Sequence, residues 1–434
     1  MPGASRMVAS HTRPHTATAV LDPDDDRSER PAARIARPRT VLRDVGPAYL
    51  LNGVVGLIFS ASGPVAIILA AGAAGDLSAA ELSSWIFGVF VLNGALTAVA
   101  SWVYRMPLAF AWTIPGTVLV GASLQHLAWA EVLGAFVLTG VLIAAIGLTG
   151  RVRAFMSALP TPIVMAMVAG VFLQFGVDVV TSVGTDPVVA VPVVVAFFLL
   201  SCHRALRRWM PPIIGASLVG IAAVAASGQF DLERTSSDIF AAPVVQMPEF
   251  TVRAIVELVI PLAITVIVVQ NGQGVAVLRS AGHRPPVTVV TVACGVMSML
   301  AAFIGSISTC LAGPTNAILV ADGRRERQYT AALTFGLLAV LVGLFAPAFV
   351  AVMLAMPAAF IATVGGLALL GALQNAFRAA FSGGFTLGAL VTFLVTVSDL
   401  TVLNIGAPFW GLVAGVVAAW LVERNDFGAS ESRP

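Results

Sequence analysis

Long apolar runs separated by short polar breaks dominate this chain. They lie at 46–71, 83–101, 107–124, 130–149, 158–180, 187–203, 210–227, 254–272, 286–304, 306–320, 329–345, 350–373, 383–398 and 403–421. A membrane helix needs about 20 apolar residues, so the pattern predicts an all-α polytopic membrane protein with 14 transmembrane segments. The third and tenth runs carry breaks. Ala111–Val120 reads AWTIPGTVLV, and about 199 residues later Ser308–Val320 reads STCLAGPTNAILV. Proline removes a backbone donor, and glycine adds no side chain to hold a helix. Both breaks follow hydroxylated residues, Thr113 and Thr309, and precede an apolar half-helix. Irregular backbone survives at membrane depth only where protein or a water-filled cavity satisfies it. Two such breaks at matching places in two halves point to a transporter's binding site.

Ahead of the first run, residues 1–42 form a polar tail rich in Arg, Pro, Asp and Ser. Its composition is that of a disordered segment, and it lacks the apolar core of a cleaved signal peptide.

Composition agrees with this reading. Apolar residues make up 58% of the chain and charged ones 11%, against roughly 25% charged in a soluble domain. Cys202, Cys294 and Cys310 fall in or beside apolar runs without paired spacing, and read as small buried hydrophobes. The chain has no Lys, so its 24 basic residues are all Arg. With the N-terminal tail in the cytoplasm, alternating spans place all of them inside except Arg234 and Arg253. Those two lie in the long loop 228–253, and Asp76, Glu81, Asp186 and Asp399 mark the opposite loops. This is a positive-inside pattern, which predicts cytoplasmic termini and an even number of spans.

Short matches recur seven spans apart. Pro115-Gly116 answers Gly313-Pro314, Ala158-Leu159-Pro160 answers Ala355-Met356-Pro357, Pro212–Gly215 answers Pro408–Gly411, and Val65–Ile67 answers Val275–Val277. An odd spacing inverts the second copy, so the pattern predicts a 7+7 inverted repeat.

In such a repeat the two half-helices enter from opposite sides, and their starts face one cavity. A helix start offers unpaired N–H groups and about half a positive charge, which suits an anion without any Arg. Gly116, Thr117, Gly313, Thr315 and Asn316 are the candidates there, with Trp112 as an aromatic wall and Thr113 and Thr309 before the breaks. The eighth run ends in Gln270, Asn271 and Gln273, and the first has Ser60 and Ser62 at the matching place. Amides and hydroxyls are costly in an apolar run unless they pair or line a cavity; tight packing through small residues is the competing explanation. Glu257 lies 13 residues before Gln270, roughly 20 Å along a helix. It is a candidate for proton coupling or simply an outer carboxylate. No metal cluster, nucleophile motif or nucleotide loop occurs, so no enzyme activity, cofactor, metal or nucleic-acid partner is expected.

Three stretches resemble the benzoate/proton symporter family, BenE: AWTIPG at 111–116, QNGQGVAVLRSAGHRPPV at 270–287 and RDVGPAYLLNGVVGLIFSASGPVAIIL at 43–69. The resemblance runs from about Arg43 to Val422. It implies 14 spans in a 7+7 inverted repeat. A core domain would comprise 43–155 and 254–345, and a gate domain 156–228 and 346–422. The segment 229–253 would be an extracytoplasmic loop, with 423–434 a second cytoplasmic tail. It further implies a bacterial cytoplasmic membrane protein that imports a small aromatic carboxylate with a proton, and a homodimer. STCLAGPTNAILV departs toward the sulfate-type transporters of the wider group. Gln270 and Pro314 stand where nucleobase permeases carry acidic residues, which favours an anionic ligand. Another organic or inorganic anion, or an anion channel, is the alternative.

Overall fold

The computed structural model describes residues 29–31, 37–61, 63–202, 211–230, 239–321, 323–398, 400, 402 and 407–431. Most of the N-terminal tail, Ser62, Arg204, Arg207, Arg208, Arg234 and Asp399 lie outside them. The first half comprises α1 (Pro38–Asp44), α2 (Pro47–Ala61), α3 (Gly63–Ala74), α4 (Ala79–Tyr104), strand β1 (Phe110–Trp112), α5 (Ile114–Ser123), α6 (Trp129–Leu148), α7 (Val152–Ala158), α8 (Thr161–Thr185), α9 (Pro187–Cys202) and α10 (Pro212–Ser227). The second comprises α11 (Val252–Ser280), α12 (Val287–Ala302), strand β2 (Thr309–Leu311), α13 (Gly313–Leu319), α14 (Tyr329–Leu344), α15 (Ala346–Leu354), α16 (Ala358–Phe381), α17 (Thr386–Thr396), α18 (Ala407–Val422) and α19 (Arg424–Glu431). Among the described residues, 7 helical spans are long and apolar enough to cross a membrane, and further apolar helices are shorter.

Several expected boundaries move. The third and tenth runs are not helices interrupted midway. Each is an extended strand followed by a half-helix, because the proline near each helix start has no N–H to continue a ladder from the preceding residues. β1 and β2 pair antiparallel with Phe110 opposite Leu311, Ala111 opposite Cys310 and Trp112 opposite Thr309. The run expected at 350–373 divides at Pro357, which disfavours helix in the residue before it: α15 ends at Leu354, and α16 starts at Ala358. The eighth run does not stop at Gly272. α11 continues to Ser280, passing its polar stretch through a wide π-type turn, Thr265–Asn271, a feature frequent at functional sites. Residues 38–42 belong to α1, and Glu29 accepts the Thr288 and Val289 N–H groups at the start of α12 at 3.0 and 3.1 Å. Cys202 is exposed at a helix end, while Cys294 and Cys310 are buried.

Packing falls into two groups. α6 lies on α12, α4 and α2 on α14, α3 on α5, and the end of α11 on α13. Separately, α8 lies on α16 and α17, α9 on α10, and α17 on α18. Where backbones come closest, glycine is required. A Cβ on Gly274 would stand 2.7 Å from the Leu311 carbonyl oxygen, so the close approach of α11 to β2 at this point needs glycine. α3, α5, α8 and α16 carry the contact between the groups, with Ile67 and Val118 packed into the α8 cluster.

Candidate functional site between the half-helices

β1 and β2 deliver the chain to two helix starts, and a small pocket lies beside them. Phe59, Trp112, Ile114, Pro64 and Pro314 form apolar walls, with Ala111 and Ala312 at the strand ends. Ser60, Gln270 and Thr315 supply the polar lining. All three residues are buried, and their side chains make no hydrogen bond among the described residues. The fully enclosed polar atom without a partner at this pocket is the Trp112 Nε1 donor, and leaving such a group unpaired is costly. No charged side chain lines the cavity.

Other sequence candidates do structural work. Thr113 caps α5, its hydroxyl accepting the Gly116 N–H at 3.2 Å and bonding Thr265 at 3.0 Å. The Thr117 N–H goes to the Thr113 carbonyl, and the Asn316 N–H to Ala312. Those bonds occupy three of the N–H groups on which the sequence argument rested. Asn316 clasps β1: its Oδ1 accepts the Ala109 N–H at 3.1 Å, and its Nδ2 donates to the Ala109 and Ala312 carbonyls. Asn271 does the same for β2, accepting the Leu311 N–H at 2.7 Å. Thr309 donates to Asn93 at 2.7 Å. Gln273 is exposed and packs over the Gly313 backbone. Ser62 lies outside the described residues.

Trp112 stands 3% exposed, edge-on to Phe90 with ring centroids 5.4 Å apart. Glu257 is buried rather than solvated. It accepts the Ser123 hydroxyl at 2.6 Å and meets His126 Nε2 at 3.0 and 3.1 Å. Sequence reasoning missed Phe59, Thr265, Asn93 and His126. Phe59 was findable as the aromatic preceding the Ser60–Pro64 break; the others are polar residues whose partners are distant in sequence.

Broken, strand-fed half-helices beside a small pocket, within a many-spanning helical body, point to a membrane transport protein. Similarity to known proteins makes this narrower. The model of the family described as benzoate membrane transport protein, BenE, matches residues 43–421, and the chain belongs to that family. It is 29% identical over 405 residues to the inner membrane protein YdcO of Escherichia coli, covering 89% of this chain and 100% of that one. It is 28% identical over 391 residues to the benzoate membrane transport protein of Acinetobacter baylyi, covering 88% and 97%. Among solved structures it resembles the transmembrane domain of the cyanobacterial bicarbonate transporter BicA, with TM-score 0.60, 16% identity and coverage of 85% and 97%. It also resembles the murine anion transporter Slc26a9 in its inward-facing state, with TM-score 0.63, 12% identity and coverage of 98% and 77%. These two likenesses define the fold.

Proposed function

We propose that this protein is a secondary active transporter that imports a small aromatic carboxylate of the benzoate type, together with a proton, by alternating access. The cavity carries the reading. Its Phe59, Trp112 and Ile114 walls suit a flat ring, and its Gln270, Ser60 and Thr315 side chains offer donors with no fixed negative charge to repel an anion. Hydrogen bonds to a carboxylate contribute about 1.5–3 kcal/mol each. Two or three of them, with the ring buried, suffice for a micromolar affinity. The benzoate transport protein among the relatives supports the substrate class.

The chain crosses a bacterial cytoplasmic membrane 14 times, with both termini cytoplasmic and residues 229–253 outside. Its two halves form a 7+7 inverted repeat. Packing supports this, since pairs recur after a shift of seven spans: α6 on α12 answers α14 on α4, and α9 on α10 answers α17 on α18. Core segments 43–155 and 254–345 move against gate segments 156–228 and 346–422. Glu257 takes part in proton coupling. The chain works as a homodimer and performs no covalent chemistry.

Uptake of labelled benzoate into proteoliposomes tests the whole reading. An inward acid gradient is expected to drive accumulation above the equilibrium level. Uptake indifferent to the gradient would remove proton coupling. Uptake inhibited by sulfate or bicarbonate and not by benzoate would transfer the site to an inorganic anion.

A further inference from the structure

α5 touches two buried polar places at once. Its first residue, Ile114, lines the cavity, and its last, Ser123, donates to Glu257. His126, three residues further on, completes the second place. Its Nε2 lies 3.0 and 3.1 Å from the two Glu257 oxygens. Glu257 is almost wholly enclosed, its side chain 4% exposed, while the His126 side chain is 30% exposed. The pair therefore joins an enclosed carboxylate to an imidazole that solvent reaches. Around them α5 contributes no charge, and α6 contributes only Glu131, which is engaged with the Ala128 N–H at 2.9 Å. The segment leading to α11 brings the exposed Glu249, and α11 itself brings Arg253 one turn before Glu257.

We propose that His126, Glu257 and Ser123 form a proton-binding site linked to the anion cavity through α5. The proposal rests on the anion-transport reading. Loading adds one proton to the imidazole, giving an imidazolium–carboxylate pair, and unloading returns that proton to water. Nine residue steps separate Ile114 from Ser123, roughly 14 Å along the helix. Across an effective dielectric near 20, a positive charge placed there tightens an anion at the far end about sevenfold. The coupling is reciprocal, so anion binding draws a proton onto His126. The sign follows: affinity for the anion rises as pH falls through the range where imidazole titrates.

Purified full-length protein in detergent tests this by benzoate binding at pH 5.5, 6.5 and 7.5, alongside proton uptake on adding benzoate to a weakly buffered sample. The wild type is expected to bind benzoate about sevenfold tighter at pH 5.5 than at pH 7.5, and to take up protons on binding. His126→Gln should hold the weaker affinity at every pH, and His126→Arg the tighter one. Glu257→Gln should also lose the pH dependence. Wild-type pH dependence retained in His126→Gln, or a uniform loss of affinity with the slope unchanged, would overturn the proposal. So would binding without proton uptake in the wild type, a result that needs no variant. Failure of the wild type to bind benzoate at any pH, with sulfate or bicarbonate bound instead and the pH slope intact, would overturn the substrate reading and leave the proton site standing.

Discussion

At the start of α5 the Thr113 hydroxyl takes the Gly116 N–H, and a second threonine, Thr265, holds that hydroxyl in place. At the start of α13 the equivalent residue is Ala312, which has no side chain to offer. The backbones are nearly superimposable: φ −75 and ψ 109 at Thr113, φ −74 and ψ 106 at Ala312. The two breaks thus share geometry and differ in chemistry. The first half-helix closes its own end. The second leaves the neighbouring Thr315 hydroxyl unbonded at the cavity, beside Gln270 and Ser60. On the proposed reading an anion would be held on the side of α13, α11 and α2, with Trp112 and Ile114 from the first break as wall. Two breaks of one backbone geometry need not contribute equally to a site, and here the difference rests on one residue at each helix start.

The strongest way to break this picture is to remove what makes the two breaks alike. Asn316→Ala takes away the acceptor of the buried Ala109 N–H and should cost about 3 kcal/mol, read as a lowered thermal midpoint in detergent. Asn271→Ala should do the same through the Leu311 N–H. If either variant melts like the wild type, these amides are free for ligand after all, and the division between scaffold and site is wrong.

Next comes charge at the cavity. Gln270→Glu places a carboxylate beside the anion and should weaken benzoate binding by about 2 kcal/mol, roughly thirtyfold, at neutral pH. The loss should fade on acidification as the new side chain is neutralised. An affinity unchanged across pH would remove Gln270 from the site.

Thr315→Val keeps shape and deletes the hydroxyl. It should cost about 1.5 kcal/mol of binding, roughly tenfold, with little change in thermal midpoint. A fall in stability with affinity intact would reassign Thr315 to packing and erase the claimed asymmetry.

Sequence made the breaks themselves legible, because Pro115 and Pro314 interrupt apolar runs at matched positions. It also pointed to Gln270, Ser60, Trp112 and Thr315, four residues that do line the cavity. The strands were not legible. Three residues such as Phe110–Trp112 are too short to show a period-two pattern, and their pairing partners lie about 200 residues away. Roles of buried amides were equally hidden. Asn271 and Gln270 are neighbours of similar chemistry, yet one serves a backbone N–H on β2 and the other faces the cavity. Only the rotation of α11 through its wide turn separates them. Glu257 read as either a proton-coupling candidate or an outer carboxylate, because its partner His126 sits in a loop that carries no periodic signal.

The smallest effect tests the capping difference directly. A threonine cap is worth about 1 kcal/mol over alanine, so Thr113→Ala should lower stability by that amount. Its effect on benzoate affinity should be well below that of Thr315→Val, since Gly116 does not line the cavity. The reciprocal change is Ala312→Ser. With the backbone already in cap geometry, the new hydroxyl can accept the Thr315 N–H, stabilising α13 by about 0.5–1 kcal/mol. It would also place an extra oxygen at the cavity wall where Ala312 now stands, satisfying part of the helix start before any ligand arrives. Stability should therefore rise while benzoate affinity falls by a few-fold. Thermal midpoints and binding measured on the same two samples decide it: opposite shifts in the Ala312→Ser protein support a second half-helix left open for the anion, and a gain in both would mean that its open end has no part in binding.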